Sequence, residues 1–243
     1  MFLIRNRNRF FKKVVAVATA AFRKAQNAES FTKKIFQETG IEVKIINQDE
    51  EGILAFRGAI ATTSAEPKEI VTWDIGGGSM QLTTLSEMGT YIIEKGKTAS
   101  IPFKNQVIQE IKNQNSQFFQ TPNPMSPNEM HKAISLASTI AQKTNSYIKN
   151  KILNPNTKIL AVGSLFNYGI RPLTNGDSIA LEKAIFNMSG KNDSELPGGA
   201  LAEVAVTNPL LVLGYMKGFG IHEIEIINVN NADGALTFPP YWQ

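Results

Sequence analysis

The chain has 243 residues, 42% of them hydrophobic, enough for one large domain or two small ones with packed cores. It has no Cys, which excludes a disulfide framework, thiolate catalysis and a Cys-ligated metal, and its two His (His131, His222) lie too far apart in sequence to favour a His-rich metal site or a Ser-His-Asp triad. The net charge of +4 suits an anionic partner, but the aromatics are not interleaved with the basic residues, so no nucleic acid is expected.

Arg5, Arg7, Arg9, Lys12 and Lys13 precede an apolar stretch at 14–22, and Ala16-Val17-Ala18 has the small-x-small form of a signal-peptidase site. That stretch is short for a signal peptide. The preferred reading is a buried strand at 14–18 leading into a helix. No run approaches the ~20 apolar residues of a membrane span, so no membrane is expected. Asn27 or Ser30 caps a helix to Thr39, stopped by Gly40. Alternation at 41–46 predicts a strand. Asp49, Glu50 and Glu51 open a helix to Ala61, in the first turn where the helix dipole favours acids. A strand at 69–74 completes a β-α-β-α-β series and with it an α/β architecture.

Strands at 81–85 and 91–95 are read as an antiparallel pair joined at 86–89. The Asn/Gln-rich stretch at 109–127 is read as a surface excursion. Ser126, Pro127 and Glu129 form a helix start with N-cap, N1 proline and N3 acid, and Met130, Ile134, Ala137, Ile140, Ala141 and Ile148 give one long apolar face. A buried strand at 158–162 ends in Gly163-Ser164. A helix follows from Asp177, another from Asn208-Pro209 to Gly218–Gly220, then a strand at 223–229 and a loop at 230–234.

The most informative segment is Ile70-Val71-Thr72-Trp73-Asp74-Ile75-Gly76-Gly77-Gly78-Ser79. A β-favouring run ends in a carboxylate, three glycines and a hydroxyl. Glycines allow tight turns and close backbone approach, successive N–H groups make an anion-binding concavity, and an adjacent Asp can hold a hard cation. Taken alone, the segment also fits an ordinary hairpin turn. No G-x-x-x-x-G-K-[ST] loop occurs in the chain.

Three segments stand in a family's order: Val17-Ala18-Thr19-Ala20-Ala21-Phe22-Arg23-Lys24-Ala25-Gln26-Asn27, then I-I-N-Q-D-E-E-G-I-L-A-F-R-G from Ile45 to Gly58, then Asp74 to Ser79. Together they resemble the Ppx/GppA phosphatases, whose pattern reads A-T-x-A-x-R-x-A-x-N, S-G-x-E-E-A and D-I-G-G-G-S-T-E. The resemblance implies an actin-like, Hsp70-like, sugar-kinase-like (ribonuclease H-like) α/β fold, with phosphates bound in the cleft between two domains. It also implies roles. Glu51 would be the catalytic base, and Arg23 the phosphate clamp. Gly76, Gly77, Gly78 and Ser79 would be phosphate donors. Asp74 would bind Mg²⁺ or another divalent cation, or help position water.

Several features depart from that pattern. The family's opening loop, D-x-G-[ST]-N-S, has no counterpart, so an incomplete first domain (1–68) is expected before a second domain (69–243). The glutamate after G-G-G-S-T is Gln81, the second glycine turn reads Ala161-Val162-Gly163-Ser164-Leu165, and the family's R-E-G reads Ala232-Asp233-Gly234. The expected activity is hydrolysis of a terminal phosphoanhydride of inorganic polyphosphate or guanosine pentaphosphate, by a cytoplasmic protein, with a homodimer as a candidate assembly. The alternative is a catalytically impaired phosphate- or alarmone-binding relative or partner subunit. An ATP-using relative has no adenosine motif to support it.

Overall fold

The computed structural model describes residues 2–3 and 14–242. The basic cluster Arg5 to Lys13, with Phe10 and Phe11, lies outside the described residues. The chain is α/β. A three-stranded sheet has the order β1 (Phe2–Leu3), β2 (Ala16–Ala18), β3 (Val43–Ile45), with β1 antiparallel and β3 parallel to β2. Helices α1 (Ala20–Lys24) and α2 (Ala28–Thr39) join β2 to β3. Gly40 ends α2 in the left-handed conformation (φ 69°), as the sequence predicts. Helix α3 (Gln48–Ile60) then leads to a five-stranded sheet.

That sheet has the order β6 (Tyr91–Gly96), β5 (Met80–Leu85), β4 (Ile70–Ile75), β7 (Lys158–Val162), β8 (Glu225–Ile226). The β4–β5–β6 part is antiparallel, and β7 and β8 run parallel to β4. Period-2 alternation sorts its side chains. Val71, Trp73, Ile75, Met80, Leu82, Ile159 and Ala161 enter the larger core, while Ile70, Leu160 and Val162 pack with Ala55, Phe56 and Ala59 of α3. The polar residues Thr72, Asp74, Gln81 and Thr83 therefore share the α3 face. Trp73 centres the larger core, edge-on to Phe166 at 5.2 Å and beside Tyr215 at 5.7 Å.

Helices α5 (Pro127–Ala141) and α8 (Thr207–Phe219) cover the far face. The predicted capping box of Ser126 and Glu129 is formed. The helical run Gly199–Phe219 is long and apolar enough to cross a membrane by composition, but it is mostly buried in this core.

Five predicted elements change. The strand expected at 41–46 shortens to Val43–Ile45. The polar excursion at 109–127 begins later, because α4 (Ser100–Gln106) runs on as a π-helical turn (Val107–Ile111) that buries Val107 and Ile108. The long apolar helix breaks at Gln142, and Asn145 caps a separate α6 (Ser146–Ile152). The strand expected at 223–229 shrinks to Glu225–Ile226: Glu223 makes an isolated bridge with Asp177, and the Ile227 carbonyl is taken by the Asn167 side chain. The loop expected at 230–234 is helix α9 (Asn231–Leu236), started by a capping box between Asn230 and Asp233.

Helix α9 carries the chain back to the first sheet. Ala235 and Tyr241 pack with Val15, Val17, Ile46 and Leu54, and the Tyr241 hydroxyl donates to Glu50 Oε1 at 2.6 Å. Phe238 and Tyr241 thus pack within the chain. Helices α3 and α9 meet through glycine: a Cβ on Gly234 would stand 1.8 Å from the Leu54 carbonyl oxygen. Gly234→Ala should therefore lower stability by roughly 3 kcal/mol or more, the upper range for overpacking, as read from urea denaturation.

Candidate active site

The α3 N-terminus is capped by Asn47, whose side chain accepts from the Glu50 N–H. One residue further, Glu51 is turned inward and is only 4% exposed. It can sit there because the next residue is Gly52, where a Cβ would lie 2.6 Å from Thr83 Oγ1. A buried carboxylate costs free energy unless it is paired or hydrogen-bonded. Three donors converge on its Oε2: Arg23 Nη2 at 2.7 Å, the Ser79 hydroxyl at 3.2 Å and Gln81 Nε2 at 3.3 Å.

Arg23 belongs to α1, which follows β2 of the first sheet. Its Nη1 donates to the Ile46 carbonyl at 2.8 Å, and its Nη2 also reaches Ser79 Oγ at 3.0 Å. The guanidinium thus spans from the first sheet to the glycine turn of the second, and remains part-exposed.

The turn Gly76-Gly77-Gly78-Ser79 links β4 to β5 and is closed by the Gly76 N–H donating to the Ser79 carbonyl at 2.9 Å. The N–H groups of Ser100 and Ile101, at the start of α4, hold the Gly76 and Gly77 carbonyls. With its carbonyls held from behind, the turn leaves the Gly77, Gly78 and Ser79 N–H groups without an acceptor among the described residues. That is the donor row an anion needs. Gly78 also lets α1 approach closely: a Cβ there would meet Ala20 at 3.2 Å, and Lys24 Nζ lies 3.3 Å from the Gly78 carbonyl.

Asp74 precedes the turn and lies directly opposite Gln81 in the β4–β5 ladder. Burial pushes its carboxyl up to about 7, the negative charge of Glu51 adds to the rise, and the Asn231 amide pulls the other way. Gly163 follows β7 with φ 93°, and a Cβ on it would fall 2.8 Å from Asp74 Oδ1. The altered second glycine turn therefore still lets the backbone lie against this carboxylate. Two buried amide oxygens nearby, Gln81 Oε1 and Asn231 Oδ1, have no hydrogen-bond partner among the described residues.

The structure brings together all seven residues singled out in the sequence: Arg23, Glu51, Asp74, Gly76, Gly77, Gly78 and Ser79. Sequence reasoning missed Asn231, which stands in a segment taken for a loop. The Asn230/Asp233 spacing was the available signal. It also missed that the Ser79 hydroxyl is directed at Glu51. Among the described residues, no group of three or more His, Cys, Asp or Glu side chains gathers as a metal cage.

Asp74 makes stability depend on pH. In the folded chain it keeps its proton up to about pH 7, against an ordinary value of 3.8. Between these values the folded state binds more protons, so its contribution is fully present below about pH 4 and is lost as pH rises through about 7. Asp74→Asn should remove this loss. Urea midpoints, taken in chelator across that range, should rise for the variant relative to the parent as pH increases.

Known proteins resemble the chain in sequence over part of its length and in fold over most of it. The model of the Ppx/GppA phosphatase family matches residues 6–103. A bifunctional 3-dehydroquinate synthase/phosphatase of Fusobacterium nucleatum is 38% identical over 73 residues, which are 30% of this chain but only 11% of that protein. The Aquifex aeolicus Ppx/GppA enzyme superposes with a TM-score of 0.67 at 18% identity, covering 93% of this chain and 75% of that one. An exopolyphosphatase from Cytophaga hutchinsonii gives 0.67 at 15% identity, covering 92% and 73%. The α/β fold is the actin-like one expected from the sequence, and the chain bears the Ppx/GppA phosphatase family's sequence pattern over residues 6–103 and that family's fold over most of its length.

Proposed function

We propose that the chain is a phosphatase that hydrolyses a terminal phosphoanhydride, with inorganic polyphosphate or guanosine pentaphosphate as substrate class. The observation that carries this is the single cluster in which a buried, anchored carboxylate (Glu51) and an arginine (Arg23) adjoin a turn with three free N–H donors (Gly77, Gly78, Ser79). Each part suits phosphoryl transfer, in which catalysis is mainly positioning and charge stabilisation.

In this reading the terminal phosphate sits on the N–H row of the turn, and the Arg23 guanidinium takes its remaining oxygens in planar, bidentate fashion. Glu51 removes a proton from the attacking water. Because Arg23 is already bonded to Glu51, substrate entry exchanges part of that ion pair for phosphate contacts and leaves Ser79 and Gln81 to hold the carboxylate.

The residues present also fit a divalent cation. Asp74 and Glu51 are buried acids whose charges oppose each other, and the unpartnered Gln81 and Asn231 oxygens lie in the same cluster. Mg²⁺ is commonly held by one or two carboxylates together with substrate phosphates. Asp74 would be the ligand, and the ion would neutralise charge on the phosphate oxygens.

The test is phosphate release from polyphosphate and from guanosine pentaphosphate in Mg²⁺. Glu51→Gln should lower kcat by about 10²- to 10⁴-fold, the usual range for a general base, and Arg23→Ala should raise KM. A folded parent chain that releases no phosphate from either substrate rejects the reading, and phosphate-binding measurements on it would then examine a non-catalytic binding role.

A further inference from the structure

Gln81 is 1% exposed, yet only half of its amide is used. Its Nε2 donates to Glu51 Oε2, while its buried Oε1 has no partner. The orientation of the amide is fixed by chemistry: flipping it would put an oxygen against a carboxylate oxygen. Buried polar atoms without partners are rare in folded proteins, and one in a cluster of acids asks for a partner that arrives. Glu51 shows the complementary asymmetry. Arg23, Ser79 and Gln81 all bond its Oε2, and among the described residues none bonds its Oε1. One oxygen is an anchor and the other is free to take a proton.

Resting on the phosphatase reading above, we propose that Gln81 is the positioning residue for the attacking water, its Oε1 accepting one O–H while Glu51 Oε1 accepts the other. Gln81 and Glu51 are joined by a hydrogen bond, which fixes the two groups relative to each other. The Glu51-bound proton leaves the water as its oxygen forms a bond to the terminal phosphorus. The bridging P–O bond breaks, and its electron pair stays on the leaving phosphate. Glu51 then returns the proton to the leaving group or to solvent, so that one water is consumed and one phosphate released. A glutamine that orients the attacking water is an established device in phosphoryl transfer.

A plainer use of the same oxygen is a structural water shared with Thr83, whose buried hydroxyl is also unpartnered on this face of β5. The two uses predict different results. In Mg²⁺, with tripolyphosphate as substrate, Gln81→Met should lower kcat by roughly 10- to 100-fold with KM within about twofold. Its calorimetric affinity for imidodiphosphate should stay within about twofold of the parent's, which also reports the fold. Thr83→Val should leave kcat unchanged. If Gln81→Met does not fold, Gln81→Asn, which withdraws the amide by one methylene, carries the same expectation. Undiminished kcat in the Gln81 variant overturns the proposal. So does an equal loss in Thr83→Val, or a loss of imidodiphosphate affinity that parallels the loss of kcat. In all three cases the parent still turns over and the phosphatase reading stands; a parent that folds but releases no phosphate removes both.

Discussion

The close approach of helix α3 to its neighbours is the constraint on which the site depends. On one side Gly52 lets α3 settle onto β5, where any side chain would collide with Thr83. On the other, Gly58 lies with 3.2 Å between its Cβ position and the backbone of Asn230 and Gly234, and Gly234 in turn abuts Leu54. Interiors pack at crystal-like density, so such contacts are stiff. They hold Glu51 at a fixed depth between two sheets, where Arg23 reaches it from one and Ser79 and Gln81 from the other.

The electrostatics of the cluster follow from that depth. Glu51 is stabilised by three donors, only one of them charged, whereas the opposed Asp74 is left with little besides the Asn231 amide and carries the burden of the pair as a raised proton affinity. Gln81, opposite Asp74 in the ladder, is neutral, and its amide serves Glu51 and not Asp74. The arrangement is therefore asymmetric, with one carboxylate held and one short of partners. The second keeps its proton up to about pH 7.

Much of this was legible in the sequence because it rests on local rules. The strand read at 69–74 and its glycine turn, the helix start at Asp49 to Glu51 and the Gly40 stop each follow from short-range chemistry. Arg23 and Glu51 were singled out by resemblance, and composition alone would have left both as surface charges. The failures have separate causes. The 223–229 segment alternates like a strand, but Glu223 bridges to Asp177 and the Asn167 side chain takes the Ile227 carbonyl, which no local pattern reveals. Asn231 entered the site only because a capping box turned a supposed loop into a helix. The α4 helix, with Pro102 in its first turn and a π-helical continuation, carries a weak helical signature.

The return of the chain at α9 has a consequence for the order of events during synthesis. Val15, Val17 and Ile46 are made early, but the core they join is closed by Ala235 and Tyr241. Contacts so distant along the chain carry a loop-closure cost before they yield any stabilisation. Until α9 is made, the first sheet lacks its partners, and the Arg23–Glu51 pair lacks a settled scaffold. The five-stranded sheet, whose core draws on nearer neighbours, can form first. The Arg23, Glu51 and Ser79 cluster would then settle only once the α9 segment has packed against the first sheet.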